Sequence, residues 1–351
     1  MTTKLSKSRL PQIIGRFSEC RVLVLGDLIL DRYLFGRVRR VSPEAPVPVV
    51  ELEGGEDRPG GAGNAVMNLA SLKGKVWAAG VIGKDKAGER LQEILQSPGI
   101  AQLVIVQDPG RVTPFKTRVV AIPQHHQVVR IDQEKNTPVS VEIQRRILGQ
   151  LERIIGQVDA VIVSDYGKGM ISPGIMEGLL RLAGKRKVPV GVDPKPGNFP
   201  LYRGVSFLTP NHVEAGEIVG FRAESDSEVE KAGKEIIGKT GCQSLLITRG
   251  EKGMTLFEQG ARSGEPGAKA KKLPAPGPAL SVIHIPTAAR EVFDVSGAGD
   301  TVIAAFTLAL AAGATPRESA VIANVAAGLV VGKFGTASIS QKELIEAVQN
   351  Q

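Results

Sequence analysis

Apolar runs that close on glycine or on a small polar cluster recur along the chain, and their lengths predict buried strands. "RVLVLGDLILD" (residues 21–31) reads as a first buried strand. "VPVVELE" (47–53) follows Pro43 and Pro46 and contains Pro48, which places it in an edge or accessory sheet rather than at a sheet centre. Residues 64–72 carry a helical pattern, and "KVWAAGVIG" (75–83) returns to strand. "TPFKTRVVAI" (113–122) and "HHQVVRID" (125–132) alternate as strands of a second, smaller sheet. From residue 140 helix and strand signals alternate: helix 142–155, strand "DAVIVSDYG", helix 173–183, strand "VPVGVDPK", then "VSFLTPN", a helix and "SLLITRG". Near the C-terminus, Val292, Phe293 and Val295 read as the end of a strand, and Thr301–Ala312 as a buried helix. This alternation predicts a mostly parallel sheet with helices on both faces.

In such sheets ligands bind beyond the strand C-termini. Polar or glycine clusters collect at six predicted strand ends: Gly26-Asp27, Ser164-Asp165-Tyr166, Asp193-Pro194-Lys195, Thr209-Pro210-Asn211, Thr248-Arg249-Gly250 and Ser296–Asp300. Turn chemistry alone does not require so many, and their convergence predicts an active site. One stretch departs from the pattern: residues 261–280, rich in Gly, Ala, Pro and Lys, read as a mobile surface loop.

With 351 residues, 42% hydrophobic and 23% charged, the composition is that of a soluble globular protein. No apolar run is long enough to span a bilayer, and no signal peptide is evident. Two distant cysteines, Cys20 and Cys242, fit a reduced, cytoplasmic setting. The formal charge of +8 admits nucleic acid or an anionic metabolite. Basic residues are scattered and only 4% of residues are aromatic, so a phosphorylated small molecule is favoured and no nucleic-acid or membrane partner is expected.

Two motifs are set aside. "GKEIIGKT" (233–240) matches a phosphate-binding loop, but it lies inside a helix that precedes a strand, the reverse of what that motif requires. His125-His126 would point to opposite faces of a strand and cannot ligate one metal together. "DVSGAGDTVIAAF" is harder to dismiss. Gly297, Ala298 and Gly299 leave backbone N–H groups uncovered at a helix start, a natural anion site. Asp300 beside them would repel an anion; its plain reading is a first-turn carboxylate that complements the helix dipole, and these residues alone leave its role open.

"RPGGAGNAVMNLASL" (58–72) and "DVSGAGDTVIAAF" together resemble the two glycine-rich signatures of the ribokinase (PfkB) family of sugar kinases, in the right order and some 230 residues apart. "GDLILDRYLFGRVRRVSPEAPVPVV", "DPK" (193–195), "LTPNHVE" (208–214) and "VVGKFGT" (330–336) are similar to one subgroup, the bacterial D-glycero-D-manno-heptose 7-phosphate kinases. The resemblance implies a three-layer α/β fold over one domain spanning 1–351. Its central sheet is mostly parallel, and a small β-sheet lid comes from about 32–58 and 112–131. It also implies ATP-dependent phosphorylation of the sugar phosphate at C1, with Mg²⁺ and a monovalent cation such as K⁺, and pairing of two lids in a homodimer. Some members of the subgroup carry a second, nucleotidyltransferase domain downstream, which is not expected in this sequence.

Carried over residue by residue, Asp300 is the general base, with Gly297, Ala298 and Gly299 stabilising the transferring phosphoryl group. Asp31, Gly60, Gly61 and Asn64 contact the sugar, while Lys116, Arg118 and Arg40 are candidate cations for its 7-phosphate. Lys195, Asn211, Thr248, Arg249, Gly250 and Asn324 border the nucleotide. Asn211 and Glu214 would hold Mg²⁺ through water, although their spacing also fits a helix N-cap box. Asp294 and Ser296 match a monovalent-cation position. A non-catalytic binding module and a kinase for a different sugar are the alternatives.

Overall fold

The computed structural model describes residues 9–97, 99–260 and 280–350, so the predicted loop 261–280 lies, but for Leu280, outside the described residues. In chain order the elements are α1 (Arg9–Gly15), β1 (Arg21–Gly26), β2 (Leu28–Val41), β3 (Pro48–Gly61), α2 (Ala62–Ser71), β4 (Lys75–Gly83), α3 (Lys86–Leu95) and β5 (Ile100–Asp108). There follow β6 (Phe115–Ala121), β7 (His126–Gln133), α4 (Val141–Ile154), β8 (Ala160–Ser164), α5 (Pro173–Arg186), β9 (Val190–Asp193), β10 (Phe207–Leu208), α6 (His212–Val219) and α7 (Asp226–Thr240). The last are β11 (Ser244–Thr248), β12 (Met254–Gln259), β13 (Leu280–Ile285), α8 (Ala298–Ala311), α9 (Pro316–Val330) and α10 (Gln341–Gln349).

Among the described residues nine strands form one sheet in the order β13-β12-β11-β10-β9-β8-β1-β4-β5. It is parallel except where β12 runs against both β11 and β13. Alternation along β1 shows why helices cover both faces. Val22 and Val24 pack into a core with α1, α2, α3, α8, α9 and α10, whereas Leu23 and Leu25 pack into a second core with α4, α5, α6 and α7. Four helices begin with a reciprocal capping box readable in sequence: Asn211/Glu214, Ser225/Glu228, Thr315/Glu318 and Ser340/Glu343.

The smaller sheet, β3-β2-β6-β7, is the predicted lid, and its strands extend a few residues beyond the expected boundaries. "RVLVLGDLILD" is therefore not one strand. The chain breaks at Asp27, leaving β1 in the large sheet and β2 in the small one, so Asp31 belongs to the lid. A second correction concerns residues 292–295, which form no strand. Val292, Phe293 and Val295 are exposed, and the N–H groups of Phe293 and Asp294 both donate to the Val331 carbonyl, not to a sheet neighbour. Helix α8 then starts at Ala298, three residues earlier than the apolar pattern suggested. Residues 233–240 lie within α7 ahead of β11, as the rejection of the phosphate-loop motif required. His125 sits in the β6–β7 turn with φ +57°, packed against Phe334, so the pair is split by a turn rather than by strand alternation.

Candidate active site

The strand ends β1, β8, β9, β10 and β11 meet the N-termini of α6 and α8 on one edge of the large sheet, beneath the lid. At the start of α8, Gly297 takes φ +78°, a left-handed conformation, and a Cβ there would fall 2.5 Å from Asn64 Nδ2. The tight turn sets the first turn of α8 against α2, and no side chain caps the helix. Ala298 N–H donates to the Val295 carbonyl, so this one of the three proposed anion-binding amides is already engaged.

Asp300 follows, 2% exposed. Asn64 Nδ2 donates to its Oδ2 at 2.8 Å, and Tyr166 Oη donates across both oxygens at 3.0 and 3.1 Å. Behind Asn64 the network continues: Asn68 Nδ2 donates to the Asn64 carbonyl at 3.0 Å, and Thr301 Oγ1 donates to Asn68 Oδ1 at 2.9 Å. Burial pushes the Asp300 carboxyl up to about 7 and Asp31 adds to this, while the donors Asn64 and Tyr166 oppose it. A carboxyl poised near neutrality in reach of a cleft suits proton acceptance.

On the lid side, Arg118 donates to Asp31 at 2.6 Å, and Gly60 packs so closely on that carboxylate that a side chain there would collide with it. Gly61 closes β3 opposite Leu28. Lys116 is paired with Asp132 at 2.8 Å and Glu134 at 3.1 Å. Arg40 is not brought to the site. It is exposed near the tip of the β2–β3 hairpin, nine residues from Asp31, which along a strand is about 30 Å.

On the other side of Asp300 opens a cavity of about 870 Å³. Lys195, Asn211, Glu214, Thr248, Gly250 and Asn324 line it, as do Ala298 and Gly299. Arg249 does not, despite its place between two lining residues. Its side chain turns inward, bonded to Asp226 at 2.5 Å and near Thr255 and His284, and it braces the start of α7. Asn211 and Glu214 form the helix cap that the spacing allowed: Asn211 Oδ1 accepts from the N–H of Val213 and Glu214, and Glu214 Oε2 accepts from Asn211 N–H. Glu214 caps the helix and lines the cavity at once, half-buried, with its carboxyl pushed up by that burial.

Asp193 shares the same wall. Burial first, then the charges of Asp300 and Glu214, hold its carboxyl well above the ordinary range, a stress that a hydrated divalent cation would relieve. Among the described residues no three acidic, His or Cys side chains converge on one point. The two oxygens of Asp294 accept from the N–H of Ser296 and Gly335, each at 2.9 Å. Tyr166, Asp193 and Asn68 were not singled out as site residues by sequence reading. The first two stood in flagged strand-end clusters, which was the available signal.

Residues 21–343 match the pattern of the pfkB family of carbohydrate kinases. The bifunctional protein HldE of Trichlorobacter lovleyi is 42% identical over 344 residues, and that of Geobacter sulfurreducens 40% over 341. These alignments cover 98% and 97% of this chain, which spans 66% and 65%, just under two thirds, of the relatives' own lengths. Among solved structures, a ribokinase of Arabidopsis thaliana complexed with ribose and ATP superposes with TM-score 0.69 at 21% identity, over 94% of this chain and 98% of that one. Phosphofructokinase-2 of Escherichia coli in complex with potassium gives 0.72 at 17%, over 95% and 99%. Both carry the same fold.

Proposed function

The chain belongs to the pfkB family of carbohydrate kinases, and from that premise we propose that it transfers the terminal phosphoryl group of ATP to the C1 hydroxyl of D-glycero-D-manno-heptose 7-phosphate. The products would be the 1,7-bisphosphate and ADP, a step toward nucleotide-activated heptose for surface polysaccharide. The observation that supports it most is the position of Asp300. Buried at the foot of α8, it accepts from Asn64 and directly follows Gly299, which lines the cavity of about 870 Å³. The relatives at 40–42% identity are bifunctional proteins HldE, and the motif resemblance to heptose 7-phosphate kinases favours the heptose assignment.

In this reading Asp31 and Asn64 orient the sugar beside Gly60 and Gly61, and Arg118 faces its phosphate. Asp300 accepts the proton of the attacking hydroxyl, worth about 10²–10⁴-fold in rate. The N-terminus of α8, with Gly297 and Gly299, stabilises the charge of the phosphoryl group in transit. Lys195, Thr248, Gly250 and Asn324 bound the nucleotide. Asn211 and Glu214 would hold Mg²⁺ through water, and the ion would neutralise phosphate charge. Asp294 and Ser296 would border a monovalent cation, each Asp294 oxygen keeping a lone pair beyond the one N–H bond it accepts. The whole chain acts as one kinase domain. Its lid pairs with that of a second copy through the exposed Val38, Val41, Leu52, Val129 and Ile131. The two buried, free cysteines are consistent with a cytoplasmic setting, and no helix among the described residues is long and apolar enough to cross a membrane.

The engagement of Lys116 and Arg118 by acidic partners favours one second reading, a family kinase acting on another sugar or sugar phosphate. ADP release with ATP and Mg²⁺ across heptose 7-phosphate, fructose 6-phosphate, ribose, fructose and no sugar separates the two. Selective turnover of heptose 7-phosphate, abolished by Asp300→Asn, is expected. Turnover of a different sugar would overturn the substrate while keeping the base.

A further inference from the structure

Tyr166 is in direct contact with the reactive carboxylate, and neither the signatures nor the comparisons give it a role. Beyond β8 the chain turns through Asp165–Gly169, where Gly167 and Gly169 adopt φ +68° and +90°. This turn is pinned from below by one side chain. Asp27, 3% exposed at the break between β1 and β2, accepts from three backbone N–H groups: Tyr166 at 2.9 Å, Lys168 at 3.0 Å and Met170 at 3.0 Å. Asp165 pins it again, accepting from Gly167 N–H and from Asn198 Nδ2, both at 2.8 Å. A tyrosine on a turn held so firmly delivers its hydroxyl to a fixed point, and that point is the Asp300 carboxylate.

We propose that Tyr166 is a positioning residue for the base: its hydroxyl fixes the Asp300 carboxylate in one orientation, and Asp27 in turn fixes Tyr166. This rests on the reading of Asp300 as the proton acceptor. Asn64 reaches only Oδ2, so without Tyr166 the other oxygen loses the one donor it has among the described residues and the carboxylate is free to swing about its terminal torsion. The tyrosine stays a donor, because burial and the neighbouring Asp300 charge hold its own ionisation far above the usual range. A donated hydrogen bond favours the ionised carboxylate, the form that accepts a proton. The other titratable groups facing Asp300 are Asp31 from β2 and Asp193 from β9, both acidic, with Asp27 behind Tyr166. From α2 and α8 come only the uncharged Asn64, Asn68 and Thr301. Tyr166 and Asn64 are thus the groups that counter burial and the acidic neighbours.

The test is the titration of Asp300 in ¹³C-aspartate-labelled protein, its carboxyl resonance identified by loss in Asp300→Asn. In Tyr166→Phe the midpoint is expected to rise by about one pH unit. The pH profile of kcat would follow it, with a several-fold loss near neutrality that narrows in alkali while KM for ATP stays unchanged. Asp27→Asn keeps the hydroxyl but loosens its seat, and moves the midpoint in the same direction by less, which covers a Tyr166→Phe protein that fails to fold. A midpoint unmoved in the folded variants overturns the proposal, as does a kcat loss equal at every pH. The titration needs no substrate. A wild-type chain that phosphorylates no sugar would therefore sink the kinase reading, while the coupling of Tyr166 to Asp300 is still decided.

Discussion

The two sides of Asp300 are built by different means. On the lid side polar groups pair with one another: Arg118 on Asp31, Asn64 on Asp300, Asn68 behind Asn64. On the cavity side the wall includes Val292, Val295, Val302, Met254 and Ala327 among its polar groups, and the acids there, Asp193 and Glu214, have their carboxyls pushed up, first by burial. In the proposed reading the lid side would select its ligand by hydrogen-bond geometry held in advance, and the cavity by volume and by the charge of a metal–phosphate complex.

The largest test of this contrast is Asp300→Asn, which removes the group both sides share. It is expected to lower kcat by about 10²–10⁴-fold while the protein still binds ATP, measured by ADP release and calorimetry. The same substitution raises the melting temperature by a few degrees at about pH 8. A carboxyl pushed up by burial costs the folded state stability as pH rises from its unfolded value toward about 7, and Asn does not carry that cost. In the wild-type enzyme activity falls as pH drops below about 7, because the base becomes protonated.

Arg118→Ala comes next and breaks only the lid side. KM for the sugar is expected to rise about tenfold or more, with KM for ATP unchanged, and stability to fall by about 3 kcal/mol because Asp31 is left buried and unpaired. Equal changes in both constants would show that the two sides are not independent. Asn324→Ala, which unlatches the cavity wall from the Pro286 carbonyl, is a smaller perturbation of the other side. It raises KM for ATP about fivefold and leaves the sugar constant alone. Least affected are the thiols: Cys20 and Cys242 are buried, their ionisation pushed up to about 11, so neither is alkylated in folded protein at about pH 8, as mass spectrometry would show.

How much of this was legible in sequence follows the same division. Strand ends were readable because an apolar run that stops at Gly or Asp marks where a buried strand reaches the sheet edge, and Asp27, Asp165, Asp193 and Asn211 stand there, whereas Asp300 is in the first turn of α8 with no strand directly before it. The direction of a side chain beyond the strand was not. Thr248 and Gly250 face the cavity while Arg249 between them turns under the loop, a choice made by Asp226 on a helix start far away in sequence. Strand β5 escaped notice because its outward positions alternate weakly at the sheet edge, and β12–β13 because a long polar stretch separates two strands that pair directly. The role of Tyr166 required distances. Tyrosine after an Asp at a strand end carries no signal until the turn that aims it is seen.

The pairing of β12 with β13 has a practical consequence. Gln259 lies opposite Leu280 in the register, so the chain leaves the sheet and rejoins it at the same rung, at the rim opposite β5. A peptide tag or fluorescent reporter inserted between those two positions adds length to a connection without shifting any strand past its neighbour. That rim is a natural place to attach a probe or a passenger domain, since Met254, at the cavity end of β12, stands five residues from Gln259.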